Sequence, residues 1–528
     1  MPRFRSDTPD TAEPLPATKK MKISQHKILG KRIFQEVTIP IKTIHLQNDV
    51  IAVFHSYYGQ WSARHQDIRK KSITLFTQNG DKTIGHIENV KYPLNDIDYD
   101  PSTQEVILAT GTYDGGFAFE GQLLHWNLHT NQIKIIINDN REFVSCEFNN
   151  NSINFKVNPP NDMDENLSVM SYSITRDGST YELNNLNPIG IVDFDSSHEE
   201  YDYKSDLNSI AKAIDPSFEI NAITWDICLT NEKVVSSHSN GKIAIHSILS
   251  EQTKSIRLRE EGDCVQLFQK NDPNKIVINT CYRKVHQEDY NIVYELDLKK
   301  EIYYEKAKGK FSLSKNKNDC FLARQTNHNR EEDKDRIYNS EFEVILDLNI
   351  GHYDLFNHYL RIDNESELFA LVGNPRDQHK LKEILRIDQN GKSKKIFSIE
   401  DDNPHLMEPN FLKLNDIYVV QGKIYNPNPR IVNHKISGYD EAGKLVWTES
   451  REGNAIDLEK LDGFDNLFVA IYSSRKVEII NAINGKTVYN INEKSMVENC
   501  RPLCSSSKKN LLAIGYDNGL IEIFNVNE

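Results

Sequence analysis

No stretch of this 528-residue chain approaches the roughly eighteen consecutive apolar residues of a membrane-spanning helix. The amino-terminal MPRFRSDTPDTAEPLPATKKMKIS also lacks the apolar core of a secretion signal. The expectation is a protein that touches no membrane and stays where it is made, in the cytoplasm. The basic PATKKMK segment, Pro16 to Lys22, leaves the nucleus as the alternative. Cysteine is scarce: Cys146, Cys228, Cys264, Cys281, Cys320, Cys500 and Cys504 are seven, an odd number, and mostly sit in apolar runs. That pattern fits buried free thiols in a reducing compartment, and no second Cys pair or nearby His completes a zinc site. Positive charge is outweighed, with 63 Lys and Arg against 77 Asp and Glu, so a general nucleic-acid binder is disfavoured. A nucleophile elbow, a Walker loop and an HExxH helix are missing too, and with them the commonest signatures of catalysis. The chain reads as no enzyme, with no cofactor and no metal.

What the chain has instead is a recurring turn. A short apolar run, a tight polar turn and a second, stronger apolar run return about every fifty residues, as in HLQNDVIAVF, CLTNEKVVSS, KLNDIYVVQG and SSSKKNLLAIGY. In most units a second turn follows, among them TQNGDKT, TRDGSTY, DQNGKSK and AINGKTV, whose Asn-Gly and Asp-Gly pairs are hairpin signals. Together the two turns define ten units, near residues 43–88, 93–137, 141–184, 220–258, 263–305, 308–355, 357–399, 407–450, 454–493 and from 499 onward. Four strands in 40 to 50 residues make each unit a propeller blade, and the fold class all-β. The last unit has only three strands, while RIFQEVTIPI, near Ile33 to Ile41, has no unit of its own. This strand is expected to complete the last blade and close the ring.

Residues 1–30 read as a disordered basic tail, and residues 31–528 as a β-propeller with an insertion at 186–219. The alternative is a three-unit part at 31–185 beside a seven-bladed propeller at 220–528. Within the insertion, Leu207, Ile210, Ala211 and Ile214 have helical spacing, with Ser205 as N-cap and Pro216 just beyond. The insertion is otherwise acidic.

The units resemble those of WD40-like and quinoprotein-like β-propellers. Several third strands end in an apolar or aromatic residue followed by Asp or Asn, where WD40 units place Trp-Asp: Trp126-Asn127, Leu296-Asp297, Leu346-Asp347, Ile387-Asp388, Tyr439-Asp440 and Phe524-Asn525. GYDEAGKLVW and NAINGKTVY are similar to the hairpins of such blades. The opening Gly-His pair of WD40 units is not repeated, and the literal Trp225-Asp226 falls in a first strand, where it reads as a decoy. The resemblance implies a platform for partner proteins.

The connection between second and third strands is long in many units, and long loops concentrate binding. Aromatics cluster there in the first two units: Tyr57, Tyr58 and Trp61 beside Arg64, and Tyr113, Phe117 and Phe119 beside Asp114. They are the candidate partner-binding residues; the competing reading is that they fold back over their own blades. Units five to eight offer a basic arc, Arg283, Lys284, Arg330, Arg336, Arg376 and Arg430, interleaved with acids. A solvated surface and an anion or nucleic-acid site compete for it. Asp193, Asp195, His198 and Glu199, and separately Asp96, Asp98 and Asp100 along one strand, carry a metal alternative. The functional expectation is a non-enzymatic scaffold for protein partners; the alternative is a small ligand or metal at the ring axis.

Overall fold

The computed structural model describes residues 21–527, apart from 31–32, 38, 58–69, 114–118, 160–167, 194–206, 215–222, 240, 251, 259–262, 282–290, 310, 316–318, 326–334, 349–358, 363–367, 374–381, 389, 391, 400–405, 428–429, 494, 496 and 498–499. The chain forms ten four-stranded antiparallel sheets. Sheets 1 to 10 span 39–90, 94–139, 143–193, 224–257, 263–309, 311–348, 359–399, 406–451, 455–490 and 502–527.

The physics of stacking explains which runs become which strands. A second strand that is covered on both faces is apolar on both, as in Val50–Tyr57 and Leu467–Tyr472. Fourth strands lie at the periphery and are largely polar or exposed, Thr253–Arg257 being one. The lower rim carries turns between strands one and two, such as 47–49, 150–151, 415–416 and 509–510, where Asn48, Asn150, Asn415 and Lys509 adopt positive φ. The upper rim carries the connections between strands two and three and from one sheet to the next.

First strands share one irregularity. The register shifts between Pro40/Lys42, Leu94/Asp96, Phe143/Ser145, Thr224/Asp226, Cys264/Gln266, Ala455/Asp457 and Pro502/Cys504, a bulge at the same place in seven sheets. In several of them the residue just past the bulge latches onto the first strand of the next sheet. Asp96 accepts the Cys146 amide at 2.9 Å, Asp226 the Leu267 amide at 2.7 Å and Asp457 the Ser505 amide at 2.8 Å. The Gln266 side chain brackets both backbone groups of Leu313, at 2.9 and 3.0 Å.

Separate hydrophobic clusters join neighbouring sheets. Sheet 4 packs on 5, 5 on 6, 6 on 7, 7 on 8, 8 on 9 and 9 on 10. Sheet 10 then packs back on sheet 4 through Ala513, Ile521 and Ile523 against Ile227, Leu229 and Val234, where Ser506 also accepts the Leu229 amide at 3.1 Å. The cycle of contacts thus runs through seven sheets. Sheets 1, 2 and 3 stack in order beside it, through two clusters of their own. Among the described residues no cluster joins sheet 3 to sheet 4. Sheet 3 is built as an end: Ser152–Val157 alternates, with Ile153, Phe155 and Val157 buried against sheet 2 and Ser152, Asn154 and Lys156 turned away. The other end is covered by α1 (Leu207–Ile214), which packs Leu207 and Ala211 with Phe34 and Val37 onto Ile51, Val53 and Phe76 of sheet 1.

Four expectations change. The strand completing sheet 10 is Lys22–Leu29, inside the segment read as a tail, and Ile39–Leu46 opens sheet 1. A peripheral strand needs few apolar residues, and here only Ile23 and Leu29 are buried, so its signal is faint. Residues 1–20 of the expected tail lie outside the described residues. The fourth strand of sheet 3 is Gly190–Asp193, from the supposed insertion, because 176–189 packs Tyr181, Leu183 and Leu186 between sheets 2 and 3 first. Leu346-Asp347 belongs to a fourth strand, and Asn339 takes the turn position, accepting the Glu341 and Glu343 amides at 2.9 Å each. The acids of the other third strands do anchor turns: Asp388 and Asp440 each cap two amides at 2.8 to 3.0 Å.

Candidate interaction surfaces

The first two sheets present their aromatic segments on strand ends that face the upper rim. Tyr57 ends Val50–Tyr57 opposite Lys70, and Tyr113 pairs with Phe119 across the mouth of the second hairpin. Tyr58, Trp61, Arg64, Asp114 and Phe117 lie outside the described residues, as do the side chains of Tyr57, Tyr113 and Phe119.

The basic arc is only partly brought together. Arg283, Lys284, Arg330 and Arg376 lie outside the described residues. Arg336 is no loop residue: it sits in Asp335–Tyr338, with its Nε 3.3 Å from Asp347 of the next strand, and Tyr338 foremost, then Asp347, raises its pKa. Arg430 opens a strand too. The segment expected as a long loop is a hairpin of Ile417–Pro427 and Arg430–Tyr439, with Pro427 opposite Arg430 and Lys423 opposite His434. The NPNP sequence looks like a loop but supplies only the tip.

Asp96, Asp98 and Asp100 do not converge on a vacant centre. Asp96 and Asp98 hold the amides of Cys146 and Phe148, at 2.9 and 2.7 Å. Asp100 accepts the Ser102 hydroxyl at 2.6 Å and Arg176 at 2.6 Å, which hold its carboxyl well below the usual range. Asp193 is described only by its backbone pairing with Ser168, and Asp195, His198 and Glu199 lie outside the described residues.

Two sites escaped the reading of motifs. A hollow of about 260 Å³ between sheets 2 and 3 is lined by Glu105, His125, Thr175, Arg176, Asp177 and Ser179 among others. Its charges are committed internally. The Arg176 guanidinium lies 4.1 Å from the Phe148 ring and pairs with Asp100 and Glu105, and His125 Nε2 is 3.5 Å from Glu105. The second is the junction between sheet 1 and sheets 9 and 10. Arg475 Nη2 meets Glu88 Oε1 at 2.6 Å, and Asn518 Nδ2 donates to the Gln35 carbonyl. Beneath them Asp517, buried, accepts the Arg501 amide at 3.0 Å; burial lifts its pKa to about 6 against the pull of that amide and of Arg501 and Arg475. Sequence signals for both are single residues from distant units, so only the folded chain reveals them.

No protein-family model matches the chain, and no curated protein matches it. Among solved structures it is similar to the WD40 β-propeller domain of Doa1, at 14% identity and a TM-score of 0.41, over 57% of this chain and 92% of that one. The sheets themselves carry the assignment: sequential four-stranded blades, packed face to face within sheets 1 to 3 and within sheets 4 to 10, with an amino-terminal strand completing the last. In architecture this chain is an all-β protein of repeated four-stranded propeller-type blades.

Proposed function

We propose that the chain is a non-enzymatic scaffold that holds protein partners on its upper rim. The observation that supports this reading is the asymmetry of the rims. Upper-rim connections run to 58–69, 114–118, 282–290, 326–334 and 374–381, whereas lower-rim turns such as 150–151, 415–416 and 509–510 are minimal. Extra chain on one rim alone costs ordering entropy without adding to the core, and binding is what commonly offsets that cost. Tyr57, Tyr58, Trp61, Arg64, Tyr113, Asp114, Phe117 and Phe119 are the proposed contact residues, aromatic anchors beside charges. In the same reading the chain divides into a three-sheet array, residues 39–193 with α1, and a seven-sheet ring of 223–527 completed by Lys22–Leu29. The separate clusters and the polar far side of sheet 3 support this division.

Affinity purification from the native cells, followed by mass spectrometry, tests the function. Proteins recovered with the wild type and lost with a Trp61→Ala, Phe117→Ala double variant of unchanged melting temperature are the expected result. Equal recovery by the double variant would move the contact elsewhere, and a protein that comes out alone would sink the scaffold.

A further inference from the structure

Two chain passes connect the array to the ring, and the first is fastened to both. Residues 33–37 run from the strand Lys22–Leu29 of sheet 10 to the strand Ile39–Leu46 of sheet 1. Phe34 and Val37 are wholly buried in the array. Phe34 meets Phe76 edge-on at 5.0 Å and donates its amide to the Gly80 carbonyl at 2.7 Å, and Glu36 accepts the Thr83 hydroxyl at 2.6 Å. Gly80 has φ +63, and a Cβ there would lie 2.6 Å from the Phe34 ring, so only glycine lets the strap sit so close. Between these anchors Gln35 turns its carbonyl to the ring. It accepts Asn518 Nδ2, with Cys500 Sγ at 3.8 Å, and both donors belong to sheet 10 or its entry.

A second tie lies alongside. Glu88, near the end of the fourth strand of sheet 1, pairs with Arg475 in the tight turn between Leu467–Tyr472 and Val477–Asn481. His86 lies 3.6 Å from the same carboxylate. Burial would raise the Glu88 pKa, but the nearby His86 ring and the Arg475 guanidinium outweigh it and bring it to about 2. The Glu88 carboxylate is therefore charged at any ordinary pH. Every partner in these ties sits on an upper rim: Gln35 before a first strand, Glu88 at the end of a fourth strand, Arg475 and Asn518 in connections between second and third strands. In sheets 9 and 10 those connections are short turns, at 473–476 and 517–520, and the array sits over them.

We propose that the strap and the Glu88–Arg475 pair form a rigid clasp, which fixes the array and the ring as one body with their upper rims toward each other. A partner that lands on one rim then meets a fixed neighbour, and neither unit presents its rim independently.

Charge exchange in the full-length chain tests the clasp. Arg475→Glu and Glu88→Arg are each expected to raise trypsin cleavage at Lys31 and Arg32 by about fivefold, the factor that a coupling near 1 kcal/mol gives. Small-angle X-ray scattering should show a larger radius of gyration in both. Combining the two reversals should restore both quantities, because the ion pair re-forms with its charges exchanged. Cleavage peptides are assigned by mass, so the new basic residue at 88 is counted apart. Single variants as compact and as resistant as the wild type would overturn the clasp, and so would a double variant as open as the singles. Should a reversal melt sheet 1 or 9, Asn518→Ala, which removes the donor to Gln35 together with the side chain's contacts to Cys500 Sγ and the Leu520 amide inside sheet 10, reads the same two quantities with the same expected and contrary results, provided its melting temperature stays that of the wild type.

Discussion

Asp226 is half-buried, and its carboxylate is spent on a backbone amide of the neighbouring sheet. Burial, and after it the nearby Asp457 and Glu459, push its pKa to about 8, against the Leu267 and Ile227 amides that favour the charge. Because the folded-state value lies above the ordinary 3.8, the folded chain holds more protons than the unfolded one between about pH 4 and pH 8. The contribution of Asp226 to stability is thus fullest at low pH, falls across that window and levels off above it. An asparagine keeps a carbonyl oxygen for Leu267 and has no charge to bury. Asp226→Asn should therefore flatten the fall in melting temperature between pH 5 and pH 8, leaving the variant more stable than the wild type at pH 8 and closest to it at pH 5. Parallel melting curves in the two proteins across that range would contradict the assignment. The same residue shows how far a motif can mislead: Trp225-Asp226 matches the letters of a WD40 unit yet sits on a first strand, where a side chain just past a bulge faces the next sheet.

Hairpins and turns were the legible elements, since Asn-Gly and Asp-Gly pairs carry their geometry locally. Less legible were elements held by distant partners. Lys22–Leu29 offers two buried apolar residues, and its place beside Ile521–Asn527 depends on a chain segment some five hundred residues away. Sequence spacing also gave no warning that Ile417–Pro427 runs eleven residues, because proline and asparagine at its end mark a loop and a hairpin tip alike. Where two local signals meet, the packing can be anticipated. Trp447 closes the GYDEAGKLVW hairpin of sheet 8, lies on Gly485 of the NAINGKTVY hairpin of sheet 9, and donates its indole N–H to the Ala482 carbonyl at 2.7 Å. Gly485 has φ +70, and a Cβ there would lie 2.4 Å from the indole ring. Trp447→Ala should cost about 3 to 5 kcal/mol, as large-to-small changes of buried aromatics do. Gly485→Ala should cost a smaller share of the same interface, through left-handed strain and overlap with the ring. Denaturant unfolding measures both, and a Gly485→Ala protein as stable as the wild type would mean that sheets 8 and 9 are not held at that hairpin.

The whole molecule is threaded in an order that composition and period do not reveal. The chain lays down one peripheral strand of the ring, leaves to build three sheets and returns for the remaining strands, so a ten-unit count and a seven-sheet cycle coexist. The long connections and their candidate contacts were visible as sequence, whereas the junction at Gln35, Glu88, Arg475 and Asn518 draws on three separate sheets and the strap between two of them, and was not. If the cycle is self-sufficient, the array should be removable. Lys22 lies opposite Asn527 and Leu29 opposite Ile521, so a two-residue Asn-Gly turn inserted after Asn527 would lead straight into residues 22–29. A rearranged chain of residues 223–527, that turn and 22–29 keeps all seven clusters of the cycle and loses only the array with its cap. It should be a monomer with β-sheet circular dichroism and one cooperative melt. The same chain without residues 22–29 leaves Ile521–Asn527 as an open edge, with Glu522 deprived of its 2.6 Å bond from Gln25, and should aggregate or melt at lower temperature. If both chains fail alike, the array is part of the ring's stability and the two units are one; if both succeed alike, the amino-terminal strand is an ornament on a sheet that closes without it.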